Sequence, residues 1–288
     1  MNGILLIDKP EGWTSHDVVA KLRGALHERR AGHSGTLDPM ATGLLVLFFG
    51  RATRAVEFAE ADEKEYAAGI HFGVTTDTQD TTGTVLSRCE PRFTEGELDR
   101  ALQKFRGDIM QVPPMYSAIK QNGKKLYEIA RRGGEVERQP RPVHIISLER
   151  DGFGVDITLH VRCSKGTYIR TLCHDIGQEL GCGACMSSLH RVRAGAFSVE
   201  NAHTMDEVLT AAENNEAEQI LLPTDTLFAE YPAFRLSEKQ EKCLKNGAAF
   251  SCAAEPGRYR AYSRAGEFIA LASADGGEML VVNSFCEV

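Results

Sequence analysis

Apolar and polar positions change rhythm repeatedly along the 288-residue chain, and each rhythm predicts an element. GILLIDKP (3–10) is a short apolar run ended by proline, which predicts a buried strand. In TSHDVVAKLRGALHERR (14–30), Val18, Val19, Leu22 and Leu26 recur at helical spacing behind a Thr14 or Ser15 cap. LLVLFFG (44–50) predicts a central strand, ATRAVEFAE (52–60) a helix, and the alternating EYAAGIHFGV (65–74) another strand. TTDTQDTTGTV (75–85) is polar and turn-rich, a loop. Thr94 with Glu97 forms a capping box for a helix stopped by Gly107, and Thr204 with Glu207 forms one for a later helix.

The stretch 111–139 reads as loop, short helix and flexible basic segment. PVHIISLERDGFGVDITLHVRCS (142–164) predicts a hairpin turning at Asp151–Gly154. TYIRTLCHDIGQELG (167–181) predicts a helix entered from Ser164-Lys165-Gly166, and HRVRAGAFSV (190–199) a strand. Beyond Tyr231-Pro232 the pattern changes to one short helix and short strands (RYRAYS, FIALAS, MLVVNSF). This predicts a larger unit, 1–230, and a small β-rich one, 231–288. Hairpins and helices mix without regular βαβ alternation, so the expected class is α+β with a mixed, largely antiparallel sheet.

Composition is that of a globular protein, at 42% hydrophobic and 25% charged. No apolar stretch approaches the roughly 18 residues that span a bilayer. The first residues lack the basic start of a signal peptide, so a cytoplasmic location is expected. Of the eight cysteines only Cys182 and Cys185 form a C-x-x-C pair, and a zinc ribbon needs two such pairs.

Net charge is −7, which taken globally argues against a nucleic-acid partner. The charge is uneven. Residues 194–234 carry eight carboxylates and no Lys or Arg, so the rest of the chain is −7 + 8 = +1. Residues 116–150 carry eight Lys/Arg against four Glu, and residues 21–54 carry six against two acids. Such segments can follow a phosphate backbone, although solvated helix faces have the same composition.

Chemistry concentrates in four stretches. In GHSGTLDPMATG (32–43), Gly32, Gly35 and Gly43 permit close backbone approach and Pro39 fixes the chain after Asp38. A carboxylate mounted there suits a nucleophile or base, and equally an Asx turn ahead of proline. KPEGWTS (9–15) sets Lys9 and small hydroxyls in a turn that also caps a helix. PPMYSAIKQNGKKLYEIARR (113–132) mixes tyrosines and cations, as stacking and phosphate contact require and as an amphipathic surface also does. CSKGTYIRTL (163–172) puts Arg170 at a helix start, where it can orient a carboxylate or form a surface ion pair.

Together, and in this order, these blocks resemble the TruB-type tRNA pseudouridine synthases. The matching blocks are KPEGWTS, GHSGTLDPMATG, GRATR, EKEYAAGIHFG, PPMYSAIKQNGKKLYEIAR, SKGTYIRTL and LHRVRAG, between about residues 2 and 197. The resemblance implies the pseudouridine synthase fold and isomerisation of uridine to pseudouridine at position 55, in the T-arm loop of tRNA. It implies that Asp38 is the catalytic aspartate, that Tyr66 stacks on the target base near its moving proton, and that Arg170 pairs with Asp38. By the same resemblance Tyr168 and Leu189 line the pocket, His33 contacts the RNA loop and Lys9 supports the site wall. Arg54 and Lys120, in the GRATR and YSAIK blocks, join the expected substrate contacts.

The family needs no metal or organic cofactor, so none is expected, and the expected partner is tRNA bound by a stand-alone monomer. The residues after 230 resemble a PUA-type RNA-binding domain more loosely. His190 stands where the family usually has Arg, Arg54 replaces a common Lys, and Val46 replaces a common Pro. A guide-RNA-dependent synthase of the dyskerin type would share the blocks but usually carries longer basic termini. A T-arm-binding chaperone without catalysis would not require Asp38, Tyr66 and Arg170 together.

Overall fold

The computed structural model describes residues 1–60, 63–117, 119–121, 123–130 and 132–286, and leaves aside the side chains of Glu60, Lys120 and Lys125. The chain opens with β1 (Gly3–Lys9), α1 (Ser15–Ala25), β2 (Ala31–Ser34) and β3 (Thr42–Phe49). A 3₁₀ turn, Gly50–Ala55, leads into α2 (Val56–Glu60), then β4 (Lys64–Phe72), the hairpin β5 (Val74–Thr76) and β6 (Val85–Arg88), α3 (Glu95–Lys104) and β7 (Gly107–Gln111). The small ladder β8 (Lys120–Gln121) and β9 (Lys124–Lys125) precedes α4 (Leu126–Ala130), β10 (Arg141–Asp151) and β11 (Asp156–Cys163). After these come α5 (Ile169–Glu179), β12 (Ala184–Ala194), β13 (Phe197–Ser198) and α6 (Met205–Glu213). The last part holds β14 (Ala233–Arg235), α7 (Glu238–Lys245), β15 (Phe250–Ser251), β16 (Gly257–Tyr262), β17 (Phe268–Asp275) and β18 (Glu278–Ser284).

A nine-stranded sheet in the order β1-β3-β12-β4-β11-β10-β7 organises the larger part, with β2 beside β3 and β13 beside β12. Its pairs are antiparallel except β3 with β12, which is parallel. This is the mixed, largely antiparallel α+β architecture that the patterning predicts. The unbroken apolar runs of β1 and β3 have a simple cause. Leu5, Ile7, Leu45, Leu47 and Phe49 join one core, while Ile4, Leu6, Leu44, Val46 and Phe48 join another on the opposite face. Both faces are covered, so alternation disappears.

The first core is roofed by α1 (Val18, Leu22), α3 (Leu98, Leu102) and α5 (Leu172, Ile176). Leu271 and Phe285 of the C-terminal part belong to the second. The C-terminal strands form a five-stranded sheet in the order β14-β16-β17-β18-β15. The free edge of β1 is bonded by Leu222, through Ile4 N–H to Leu222 O at 2.8 Å and the reverse bond, also 2.8 Å.

The structure corrects several element expectations. The stretch taken as a helix from residue 52 begins as a 3₁₀ turn, and only Val56–Glu60 is α-helical. The strand expected from residue 190 starts at Ala184. β2 and most of β5 lie in stretches that read as loop, while β6 and β7 lie mostly where the pattern assigns no element. They are short and partly polar; β5 and β6 are joined by a Thr75–Ser87 hydroxyl bond of 2.6 Å rather than by an apolar face. Among the described residues no helix is long and apolar enough to cross a membrane.

Candidate active site

The site forms where β1 ends, β3 begins and β12 runs beside it. Lys9 stands opposite Gly43 in the β1–β3 register, and Arg191 stands opposite Gly43 in the β3–β12 register. Gly43 has φ +91°, and a Cβ there would lie 2.4 Å from the Arg191 carbonyl oxygen. Only glycine lets the two backbones meet this closely.

The loop bearing Asp38 is tied down from three directions. Ser15 Oγ donates to Leu37 O at 3.1 Å and accepts from Leu37 N–H at 2.9 Å. Gly12 N–H donates to Pro39 O at 2.8 Å. The fully buried Lys9 ammonium donates to the carbonyls of Pro10 (2.8 Å), Trp13 (2.8 Å) and Pro39 (3.4 Å). KPEGWTS is therefore both the cap of α1, through Thr14 and Asp17, and the bracket of the Asp38 loop. Burial pulls the Lys9 pKa down to about 8, against the attraction of Asp38.

Arg170 comes from the first turn of α5, whose start is fixed by Gln111. The Gln111 amide accepts from Tyr168 N–H (2.8 Å) and donates to Tyr168 O (3.0 Å). The guanidinium uses its whole fork. Nε lies 2.9 Å from Asp38 Oδ2, and Nη2 lies 3.4 Å from Asp38 Oδ1 and 2.9 Å from Tyr116 O. Nη1 lies 3.1 Å from Thr78 O and 3.6 Å from Asp80 Oδ2. The Asp38 side chain keeps 35% of its surface exposed, while Arg170 keeps 7% and Asp80 5%. The acid at the opening is thus Asp38. Burial raises its pKa above the ordinary carboxylate value; Arg170 and Lys9 oppose this and Asp80 adds to it.

Asp80 was not singled out in the sequence, where it sits in the threonine-rich loop 75–85. Its Oδ1 accepts from Thr78 Oγ1 (2.7 Å), Thr82 Oγ1 (2.6 Å) and Thr82 N–H (3.0 Å). Threonines at i−2 and i+2 of an aspartate were the available signal. The loop is held against β12 by Met186 N–H to Gln79 O and Thr81 N–H to Met186 O, both 3.0 Å.

Tyr66, on β4, is half-buried and stands opposite Arg191 of β12. Burial pushes its phenol pKa up, and the Arg191 charge counters this. His33 on β2 is half-buried, and its Nδ1 has no hydrogen-bond partner among the described residues. Burial, then Arg191 and His16, lower its pKa, so the ring is neutral near pH 7. Tyr168 is half-buried at the N-cap of α5, with its phenol pKa raised by burial. Leu189 is buried on β12, opposite Ala68.

The structure does not gather every expected residue. Arg54 follows the far end of β3, and its guanidinium donates to Ser284 O of β18 at 2.7 Å. The Lys120 side chain lies outside the described residues. His190 Nδ1 is 2.9 Å from Thr42 Oγ1, so this departure from the family pattern is absorbed beside the site.

Family models match most of the chain. Residues 23–169 match the TruB family pseudouridylate synthase N-terminal domain, and residues 170–229 match the tRNA pseudouridylate synthase B C-terminal domain. The protein named tRNA pseudouridine synthase B in Syntrophomonas wolfei is 41% identical over 297 aligned positions, covering 100% of this chain and 98% of that one. Its namesake in Opitutus terrae is 48% identical over 225, covering 77% and 93%. A solved structure, a Cbf5-Nop10-Gar1 complex, superposes with TM-score 0.75 at 26% identity, over 99% of this chain and 85% of that one.

Proposed function

The chain belongs to the TruB pseudouridylate synthase family and is an enzyme that isomerises uridine to pseudouridine; from that premise we propose that its target is uridine 55 in the T-arm loop of tRNA, with Asp38 as the catalytic carboxylate. The observation that carries this reading is the Asp38–Arg170 pair, at 2.9 Å, with only the acid opening to solvent.

The reaction breaks the N1–C1′ glycosidic bond, turns the base and rejoins it through C5. A uridine within a folded loop must first be flipped out, at a cost of roughly a few kcal/mol. Stacking on the Tyr66 ring offsets this by about 1–3 kcal/mol. Attack at C1′, addition at C6 and removal of a ribose proton all require the Asp38 anion. Burial opposes that anion, and Arg170 sustains it. Lys9, Ser15 and Gly12 hold the loop so that the carboxylate does not have to be reoriented during the reaction. Tyr168 and Leu189 complete the pocket wall, and His33 faces the rearranged loop bases.

Residues 231–288 are assigned on this reading to a PUA-like RNA contact, with Arg54 bridging to them rather than touching the target base. The enzyme acts as a stand-alone cytoplasmic monomer. The test is incubation of purified protein with an unmodified tRNA transcript, followed by pseudouridine mapping. Modification at position 55 that Asp38→Asn abolishes is the expected result. Modification elsewhere overturns the target, and an active Asp38→Asn overturns the catalytic assignment.

A further inference from the structure

Among the described residues Arg191 is the largest fully buried side chain, at 1% exposure. Among the described residues it has no carboxylate partner. Its Nε donates to Leu44 O at 2.6 Å and its Nη2 donates to Gly35 O at 3.0 Å, while Tyr66 stands directly opposite it on β4. An unpaired buried cation is costly, so its persistence needs a reason. Its surroundings are built around it. A Cβ on Gly35 would sit 3.1 Å from Nη1, and one on Gly43 would strike the Arg191 backbone.

We infer that Arg191 is a positioning residue for Tyr66, fixing the direction of the phenol O–H and supporting negative charge on its oxygen during turnover. A guanidinium only donates. On this inference an N–H of Arg191 not engaged by Leu44 or Gly35 donates to the Tyr66 oxygen, whose own proton then turns away from β12. Without Arg191 the hydroxyl would be free to rotate, and burial, joined by Cys163 and Asp38, would disfavour any phenolate character unopposed. The register supports the assignment. Tyr66 and Arg191 are directly opposed across β4 and β12, and the ladder shifts between Arg191 and Arg193, so the pairing is set locally.

This inference rests on the reading of Tyr66 given above, and a double-mutant cycle separates the two. Arg191→Lys and Arg191→Gln are each combined with Tyr66→Phe, and single-turnover rate and tRNA affinity are measured. With Tyr66 present, either variant should slow turnover roughly tenfold or more at unchanged affinity. In the Tyr66→Phe background, the same change should cost little further. Arg191→Lys should keep more rate than Arg191→Gln, because it keeps the charge.

Equal losses in both backgrounds would show a merely structural arginine. If Tyr66→Phe alone matched the unmutated rate, Tyr66 would have no hydroxyl role, and the Arg191 inference would fall with it. The unmutated protein supplies a check independent of folding of the variants. A slowly exchanging Arg191 Hη resonance with an Overhauser contact to the Tyr66 ring is expected, and a freely exchanging one overturns the hydrogen bond.

Discussion

Lys9 and Pro39 stand thirty positions apart, yet the Lys9 ammonium lies 3.4 Å from the Pro39 carbonyl oxygen, in the residue next to Asp38. One buried charge therefore clamps the strand end to the loop that carries the acid.

Because the Lys9 pKa is drawn down to about 8, turnover should fall along an alkaline limb centred near pH 8. A neutral amine has two N–H groups for three carbonyls, so the loop loosens. Global stability should move the other way. The folded pKa lies below the ordinary 10.5, so between about pH 8 and 10.5 the unfolded chain binds more protons, and the contribution of this group to stability rises with pH. Single-turnover rates and thermal melts from pH 7 to 10 separate the two. In Lys9→Met the limb should be absent, while stability drops by about 1–3 kcal/mol from unpaired carbonyls. An unchanged limb in Lys9→Met would remove Lys9 from the explanation.

Asp80→Asn should shift the acid limb of activity to lower pH. Asp80 helps to raise the Asp38 pKa, so removing its charge lets Asp38 ionise more readily. Arg170 keeps Asp38, Thr78 O and Tyr116 O, and tRNA affinity should hold. The rate at the optimum should fall roughly tenfold as the fork loses one ionic anchor. A pH–rate profile decides this, and a limb moved upward would contradict the geometry.

Gly43→Ala should destabilise the fold by about 3 kcal/mol or more, because backbone strain and a 2.4 Å approach to the Arg191 carbonyl coincide there. Gly32→Ala is the control. The nearest atom to its new Cβ is Val56 Cγ2 at 3.8 Å, and the change should stay within about 0.5 kcal/mol. Urea denaturation of the two variants tests the contrast.

Affinity for tRNA should fall with salt despite the net charge of −7. If the basic segments track the phosphates, log K against log salt should have a slope of about −0.7 to −0.9 per phosphate neutralised. Lys124→Ala should flatten that slope. Replacing Glu213, Glu216 and Glu218 with Gln should leave it unchanged. An equal response to both sets would put the RNA on another face.

The sequence carried a large share of this. The double-faced apolar runs of β1 and β3 are legible because burial on both faces removes polar interruption. The Thr94–Glu97 and Thr204–Glu207 capping boxes form as read. Asp38 and Arg170 were legible through their motifs, although 132 positions separate them. What was hidden is relational. Arg191 acquires its meaning only from the β4–β12 register, which no local pattern states. Asp80 was masked by a loop whose polarity reads as solvent exposure, when its threonines in fact solvate a buried carboxylate. Arg54 looked like an RNA contact, and its partner lies in a strand made at the other end of the chain.

The second core has a consequence for synthesis. Ile4, Leu6, Leu44, Val46 and Phe48 leave the ribosome long before Leu271 and Phe285, which share their core. Until then the outer side of β1 and β3 has part of its cover missing, and the Leu222 bonds that close the β1 edge also arrive late. The nascent chain thus carries a sticky surface for most of its elongation. The strand pair that frames Asp38 is made long before the segment that seals it, so a stall before residue 268 would leave a site that is assembled and a back that is open.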